Sequence, residues 1–296
     1  MIHFDPNRDL CPCESGKLLR DCCMGLHGTL RTTPSVTCPP APKTGFSNPR
    51  CYASQLADCS QKLSHEHSVS HGILKLLSHD GSVTIDGFNW QEDKHKLELP
   101  TSRLASKVLC KRHNEAISPL DATAVRFFTK LDNVIRQTER RSQVFLFDGT
   151  DLEHWMLKTL CGTVFSGNAD IKRAQVTDWK PDLLWLNILF YGKPFPDHWG
   201  LYYSAESADT VEGGIKLSAL ANSTDGVYGV RISLDDELFL FLMDTPPKDL
   251  TGTYLARYTY RPKAIGLQNA YCENVILFGW NDEFQHDAPP MGKYEP

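Results

Sequence analysis

Cysteine placement constrains this chain more than any other feature. Seven of its ten cysteines fall into two groups. Cys11, Cys13, Cys22 and Cys23 form the first, and Cys51, Cys59 and Cys110 form the second, joined by His113 three places after the last. The N-terminus has neither a basic nor an apolar leader stretch, so a cytoplasmic location with reduced thiols is expected. Clustered reduced thiols in a chain of 296 residues bind metal more readily than they pair as disulfides. Soft thiolates, alone or with one imidazole, suit closed tetrahedral zinc. Two structural zinc ions are therefore expected, on Cys11, Cys13, Cys22 and Cys23 and on Cys51, Cys59, Cys110 and His113. Cys38, Cys161 and Cys272 are left as free thiols.

The first group reads Cys11-Pro12-Cys13-Glu14-Ser15-Gly16-Lys17, with Cys22-Cys23 after a short turn-forming stretch. A segment this short cannot bury a core and needs a staple. It resembles the SEC-C zinc motif. That motif occurs on many unrelated bacterial proteins, so the resemblance implies a docking knob for a protein partner and no activity of its own. Residues 28–49 follow, with Pro34, Pro39, Pro40, Pro42 and Pro49 among small polar residues, and read as a linker.

Within Cys51–Asn114, Cys110 and His113 are three apart, so one helical turn puts both on one face. Asn114 lies about 100° further round and faces away from that metal. Glu66 and His67 are expected on a strand after Cys59, and Ser82–Gly87 reads as strand and turn. The spacing from Cys51 to Cys59 is wider than a usual knuckle. His65, His71 and His79 are further imidazoles nearby, and His65 is an alternative to Cys51 as a zinc ligand.

This stretch resembles the HNH (His-Me finger) nuclease core, although the middle asparagine of that family has no counterpart in Leu104–Leu109. The resemblance implies a zinc-stapled treble-clef or ββα-metal fold. It implies His67 as the general base, with Glu66 and Asn114 holding one catalytic divalent cation, Mg or Mn. It also implies hydrolysis of DNA phosphodiester bonds to leave a 5′-phosphate, in defence or mobile-element biology. A base of this kind needs a neutral imidazole near its pKa, and a hard cation prefers oxygen ligands.

The net charge of −5 argues against a general nucleic-acid coat, but residues 1–150 carry 19 Lys+Arg against 16 Asp+Glu. Arg103, Lys107, Lys111 and Arg112 are the candidate phosphate contacts beside the site. Ser118-Pro119-Leu120-Asp121 reads as the start of a helix reaching about residue 139, with Arg126, Lys130, Arg136 and Arg140 on its outer face.

Beyond residue 141 the pattern predicts a strand at Val144–Phe147, a helix from Leu152 stopping at Gly162, and a buried helix over Pro181–Tyr191. Six strands follow, at Gly200–Ser204, Gly214–Ala221, Val227–Leu234, Glu237–Met243, Thr253–Tyr260 and Asn274–Phe278, with a loose end over Phe284–Pro296. Acidic residues at 148–153 read as helix capping. The expected fold class is α+β, with a mostly antiparallel β-rich C-terminal domain. The expected division is a zinc knuckle over 1–27, a linker over 28–49, an HNH-like zinc core with a basic helix over 50–141, and an α+β domain over 142–296. No stretch is apolar enough to span a bilayer. The expected function is a metal-dependent HNH-type endonuclease with DNA as partner; the alternative is a non-catalytic zinc adaptor that binds protein or nucleic acid.

Overall fold

In the computed structural model, residues 5–25, 30–78, 80–86, 97–167, 179–204, 215–222, 226–234, 237–244, 257–268 and 272–280 are described. His79 and the closing segment 284–296 lie outside these residues, as do Gly87 and the first part of the strand expected from Thr253. After the first zinc group the chain runs as a strap over 30–49 and then enters the second group. Strand β1 (Leu63–His67) follows, then helix α1 (His71–Leu76), strands β2 (Ser82–Asp86) and β3 (Leu97–Pro100), and strand β4 (Ala105–Cys110). β1 and β4 pair antiparallel, with Leu63 opposite Cys110 and His67 opposite Ala105. The register slips between Ser64 and Glu66, so the pleat is broken at His65.

Helix α2 (Lys111–Arg136) begins directly after Cys110, not at Ser118 as expected. Pro119 sits inside it and cannot donate to the carbonyl of Glu115. The Ser118 hydroxyl donates to that carbonyl instead, at 2.9 Å, which lets the helix pass through the proline. At helical spacing Leu120, Ala124, Phe127, Leu131 and Val134 are buried, with Ile117 and Phe128 beside them, whereas Ile135 is exposed.

Strand β5 (Val144–Asp148) leads into helix α3 (Gly149–Phe165), where the Asp148 carboxylate accepts from the Asp151 amide at 3.0 Å and caps the helix. Gly162 does not end this helix; it provides close approach, since a Cβ there would stand 3.1 Å from Ser68 Oγ. α3 is buried without a break from Asp151 to Val164. Helix α4 (Leu183–Tyr191) starts at an Asp182 cap and ends at Gly192 in the left-handed region.

The remaining strands are β6 (Gly200–Ser204), β7 (Ile215–Asn222), β8 (Gly226–Leu234), β9 (Glu237–Leu242), β10 (Thr259–Tyr260), β11 (Ala264–Gln268) and β12 (Glu273–Gly279). They close the α+β architecture. One sheet has the order β10-β6-β9-β8-β7-β2-β3, and another the order β11-β12-β5. Pairing is antiparallel except for β2 with β7 and β12 with β5. β2 and β3 leave the chain between β1 and β4 to join a sheet made otherwise from residues beyond 199. The expected boundary at 141/142 is thus crossed by a shared sheet. The main core continues across it as well, from Tyr52 and Ile73 through Phe127 and Trp155 to Phe239 and Ile276. No helix among the described residues is long and apolar enough to cross a membrane.

Candidate functional site

Both cysteine groups are brought together as the spacing predicts. The Sγ atoms of Cys11, Cys13, Cys22 and Cys23 lie within 4.8 Å of one another, as do the ligand atoms of Cys51, Cys59, Cys110 and His113. His113 turns Nδ1 toward the sulfurs, at 3.2 Å from Cys110, 3.7 Å from Cys51 and 3.8 Å from Cys59. All ten cysteines are free thiols. Hydrogen bonds from Cys51 and Cys59 drive the Cys110 thiol far below its ordinary value against its burial, while the same contact with Cys110 drives Cys51 up. Buried sulfurs this close cannot all ionise unless a cation compensates them, and a tetrahedral set of thiolates with one imidazole fits zinc. The chain's backbone builds the second group in advance. The Tyr52 amide donates to the Val108 carbonyl at 3.0 Å and the Cys59 amide to the Phe46 carbonyl at 2.8 Å. His65 takes no part in this group and lies on the cleft described below.

The first group does not stand off from the body as a knob on a spacer. The Leu146 amide of β5 donates to the Pro12 carbonyl at 3.0 Å, and Cys11, Leu19 and Cys23 pack on Leu146. Arg126 of α2 donates to the Cys13 carbonyl at 3.2 Å, and Lys130 pairs with Glu14 at 2.5 Å. The strap over 30–49 is tied down as well. The amide and hydroxyl of Ser35 donate to the Asp151 carboxylate at 2.8 and 2.7 Å, and the Thr44 amide to Asp58 at 2.9 Å.

These contacts change the reading of the basic residues. Arg112 is not exposed for phosphate. Its guanidinium pairs with buried Asp58 at 2.9 Å and donates to the carbonyls of Pro40 and Pro42, where it fastens the strap. Arg126 and Lys130 hold the first zinc group. Lys111 pairs with Glu115 at the surface at 3.4 Å, and Arg103 and Lys107 are exposed. Of the four candidate phosphate contacts, Arg103, Lys107 and Lys111 keep a solvent-facing position.

Glu66, His67 and Asn114 do meet. They line one cleft of about 590 Å³, with His65, His71 and Asp121 among its other walls. The β1–β4 pair supplies the first two and the opening turn of α2 supplies Asn114, one residue past the zinc-group histidine. The Asn114 amide donates to Ser64 Oγ at 3.0 Å, which fixes its orientation. His67 stacks on His71 with ring centroids 4.7 Å apart. Burial, and then the neighbouring His71, pull the His67 pKa below the ordinary imidazole value, against a hydrogen bond to the Thr101 backbone. His67 Nε2 has no hydrogen-bond partner among the described residues. The ring is therefore neutral at pH 7, with Nε2 buried.

Lys158, which the sequence reading passed over, dominates the floor of this cleft. Its ammonium, fully buried on α3, lies 2.5 Å from Glu66 Oε1 and 2.5 Å from Asp121 Oδ1, and 3.3 Å from the His67 carbonyl. Burial opposes the charge, but the two carboxylates outweigh it and hold the lysine above its ordinary pKa. Ser70 Oγ donates to the same Asp121 oxygen, and Trp155 Nε1 donates to Ser70 Oγ at 2.7 Å. A divalent cation on Glu66 and Asn114 does not fit this arrangement. The Glu66 carboxylate is already engaged by an ammonium that would repel the ion.

A family profile for the SEC-C motif matches residues 8–25, which include all four cysteines of the first group. Comparison with curated proteins and with solved structures gave no match. No family match supports the HNH part of the reading.

Proposed function

We propose that the chain is a zinc-stapled phosphodiesterase of HNH type acting on DNA, with His67 as its general base. The observation that carries this reading is the convergence of His67, Asn114 and Glu66 on one cleft. They converge on a strand pair and following helix whose junction holds the second zinc group. His67, neutral on the cleft wall, takes the proton of an attacking water as the phosphodiester P–O bond breaks and the leaving oxygen is protonated from solvent. Asn114, whose amide donates to Ser64 Oγ, lies on the same wall. Arg103, Lys107 and Lys111 supply charge for the DNA backbone around it. The zinc ions, when bound, hold these elements in place and take no part in the chemistry.

The test is cleavage of single- and double-stranded DNA by zinc-loaded protein, in Mg²⁺, Mn²⁺ or Ni²⁺ and in chelator chosen to spare the zinc. The expected result is cleavage that His67→Gln reduces by at least about a hundredfold while both zincs are retained. Absence of cleavage under every condition, or full activity in His67→Gln, overturns it.

The Lys158–Glu66 pair favours a second reading, a non-catalytic zinc adaptor, because a lysine in place of a catalytic cation removes the metal-dependent chemistry. That reading predicts DNA or protein binding, without turnover, that is indifferent to His67→Gln.

A further inference from the structure

The two zinc groups are alike in ligand chemistry and opposite in accessibility. In the second, Cys51, Cys59, Cys110 and His113 are each at most 1% exposed, so no solute reaches a sulfur while the core is closed. In the first, Cys11 and Cys23 are buried against Leu146, but Cys13 is only half-buried and Cys22 is exposed. Zinc holds its sulfur ligands as thiolates, and a thiolate open to solvent is the form that peroxides oxidise.

The two open sulfurs are also neighbours. Cys13 Sγ and Cys22 Sγ stand 3.5 Å apart, and a disulfide needs about 2 Å, so closure takes about 1.5 Å of movement. The loop that joins them turns at Gly16, where φ is +76 and nothing lies within 4 Å of the place a Cβ would take, so it has room to adjust. Cys22 and Cys23 are 3.7 Å apart at sulfur, but they are adjacent in the chain, and a bond between them would distort the planar peptide that links them. The geometry therefore favours one pair.

We propose that Cys13 and Cys22 form an oxidation site, at which hydrogen peroxide makes a disulfide and discharges zinc from the first group alone. The exposed Cys22 thiolate attacks one peroxide oxygen; an S–O bond forms, the O–O bond breaks and hydroxide leaves. The Cys13 thiolate then attacks Cys22 Sγ; the S–S bond forms, the S–O bond breaks and a second hydroxide leaves. Together the two sulfurs give up two electrons, two protons come from solvent, and the peroxide ends as two waters. Cys11 and Cys23 remain, too few to close a tetrahedral site. Metal-binding energy is folding energy in a segment this short, so residues 8–25 loosen when the ion is lost. The loosened loop is the one that docks on α2, through the Cys13 carbonyl on Arg126 at 3.2 Å and Glu14 on Lys130 at 2.5 Å. Arg126 also lines the cleft, so the oxidation reaches one of its walls.

The test treats the zinc-loaded full chain, freed of reductant, with excess hydrogen peroxide. A chromogenic chelator follows released zinc, tandem mass mapping locates disulfides, and amide exchange follows residues 8–25. The expected result is release of one zinc per chain, a Cys13–Cys22 linkage, and faster exchange over 8–25 with none gained around Cys51, Cys59, Cys110 and His113. Reductant with added zinc should restore the starting state. Cys22→His keeps a zinc ligand and removes the attacking sulfur, so it should slow release from the first group by at least about tenfold. If Cys22→His does not load both zincs, the disulfide map and the exchange of the unaltered chain decide the matter. Release of both zincs at one rate, release without a Cys13–Cys22 linkage, or no release in excess peroxide overturns the proposal. So does a chain that takes up no zinc on its first group.

Discussion

Lys158 brings one positive charge into a helix with no exposed face, and two carboxylates from distant parts of the chain meet it there. Removing the lysine leaves Glu66 buried without a counter-ion, while Asp121 is partly exposed and shares its loss with water. Lys158→Met is therefore expected to lower the unfolding free energy by about 3–5 kcal/mol, measured by urea denaturation of zinc-loaded protein. Adding Glu66→Gln should recover part of that loss; a double variant as unstable as the single one would show that the pair does not carry the effect. That Glu66, His67 and Asn114 line one cleft is a structural fact that the sequence suggested only through a resemblance. Lys158 was not suggested at all, because a lysine in an amphipathic-looking stretch reads as the solvent side. Its role appears only when three elements close around it. Gly200 is a similar case: at φ +125 it stands where a Cβ would come within 2.1 Å of Glu153 Oε1. The glycine is required by the Glu153–Arg261 pair, which nothing local in the sequence announces.

Among the elements, β6, β7, β8 and β9 stand close to where the alternation places them, while β11 was not anticipated. The departures come from side chains that replace backbone partners. Ser118 lets α2 run through Pro119, so a residue pair that reads as a helix start became helix interior. The strap over 30–49 has a linker's composition, yet Ser35, Thr44 and the carbonyls of Pro40 and Pro42 are all bonded to the body. Such bonds have no periodicity to betray them. The first zinc group is held on the body through Glu14, and Glu14→Ala tests that attachment. Its ion pairs are partly exposed, so global stability should fall by less than about 1 kcal/mol. Amide exchange across residues 8–25 should quicken in Glu14→Ala with both zincs still bound, as read by mass spectrometry and metal analysis. Unchanged exchange would show that packing on Leu146 suffices.

At the level of the whole molecule, acid should weaken the fold, with His154 carrying a separable share of the loss. Burial, with Arg261 beside it, pulls the His154 pKa from 6.5 to about 4. The unfolded chain takes up this proton near its ordinary pKa and the folded chain only near 4. Between those values the unfolded state binds more protons, so stability falls as pH falls. From pH 7 to pH 5 the His154 contribution amounts to about 2 kcal/mol. His154→Phe should flatten the stability profile by that amount relative to wild type; equal slopes in the two proteins would refute it. His67, also held below its ordinary pKa, adds to the loss in the same direction.

The shared sheet also sets an order of events during synthesis. Six of the eight candidate zinc ligands are read out by residue 59 and the last two at Cys110 and His113, yet β2 must wait for Ile215 and Lys216 before its far edge is covered. On the ribosome, which extends the chain by roughly 5–20 residues per second, the segment between β1 and β4 thus spends several seconds with an open strand edge. All the residues that line the cleft, and Lys158 on its floor, are therefore synthesised well before the β2 edge is covered.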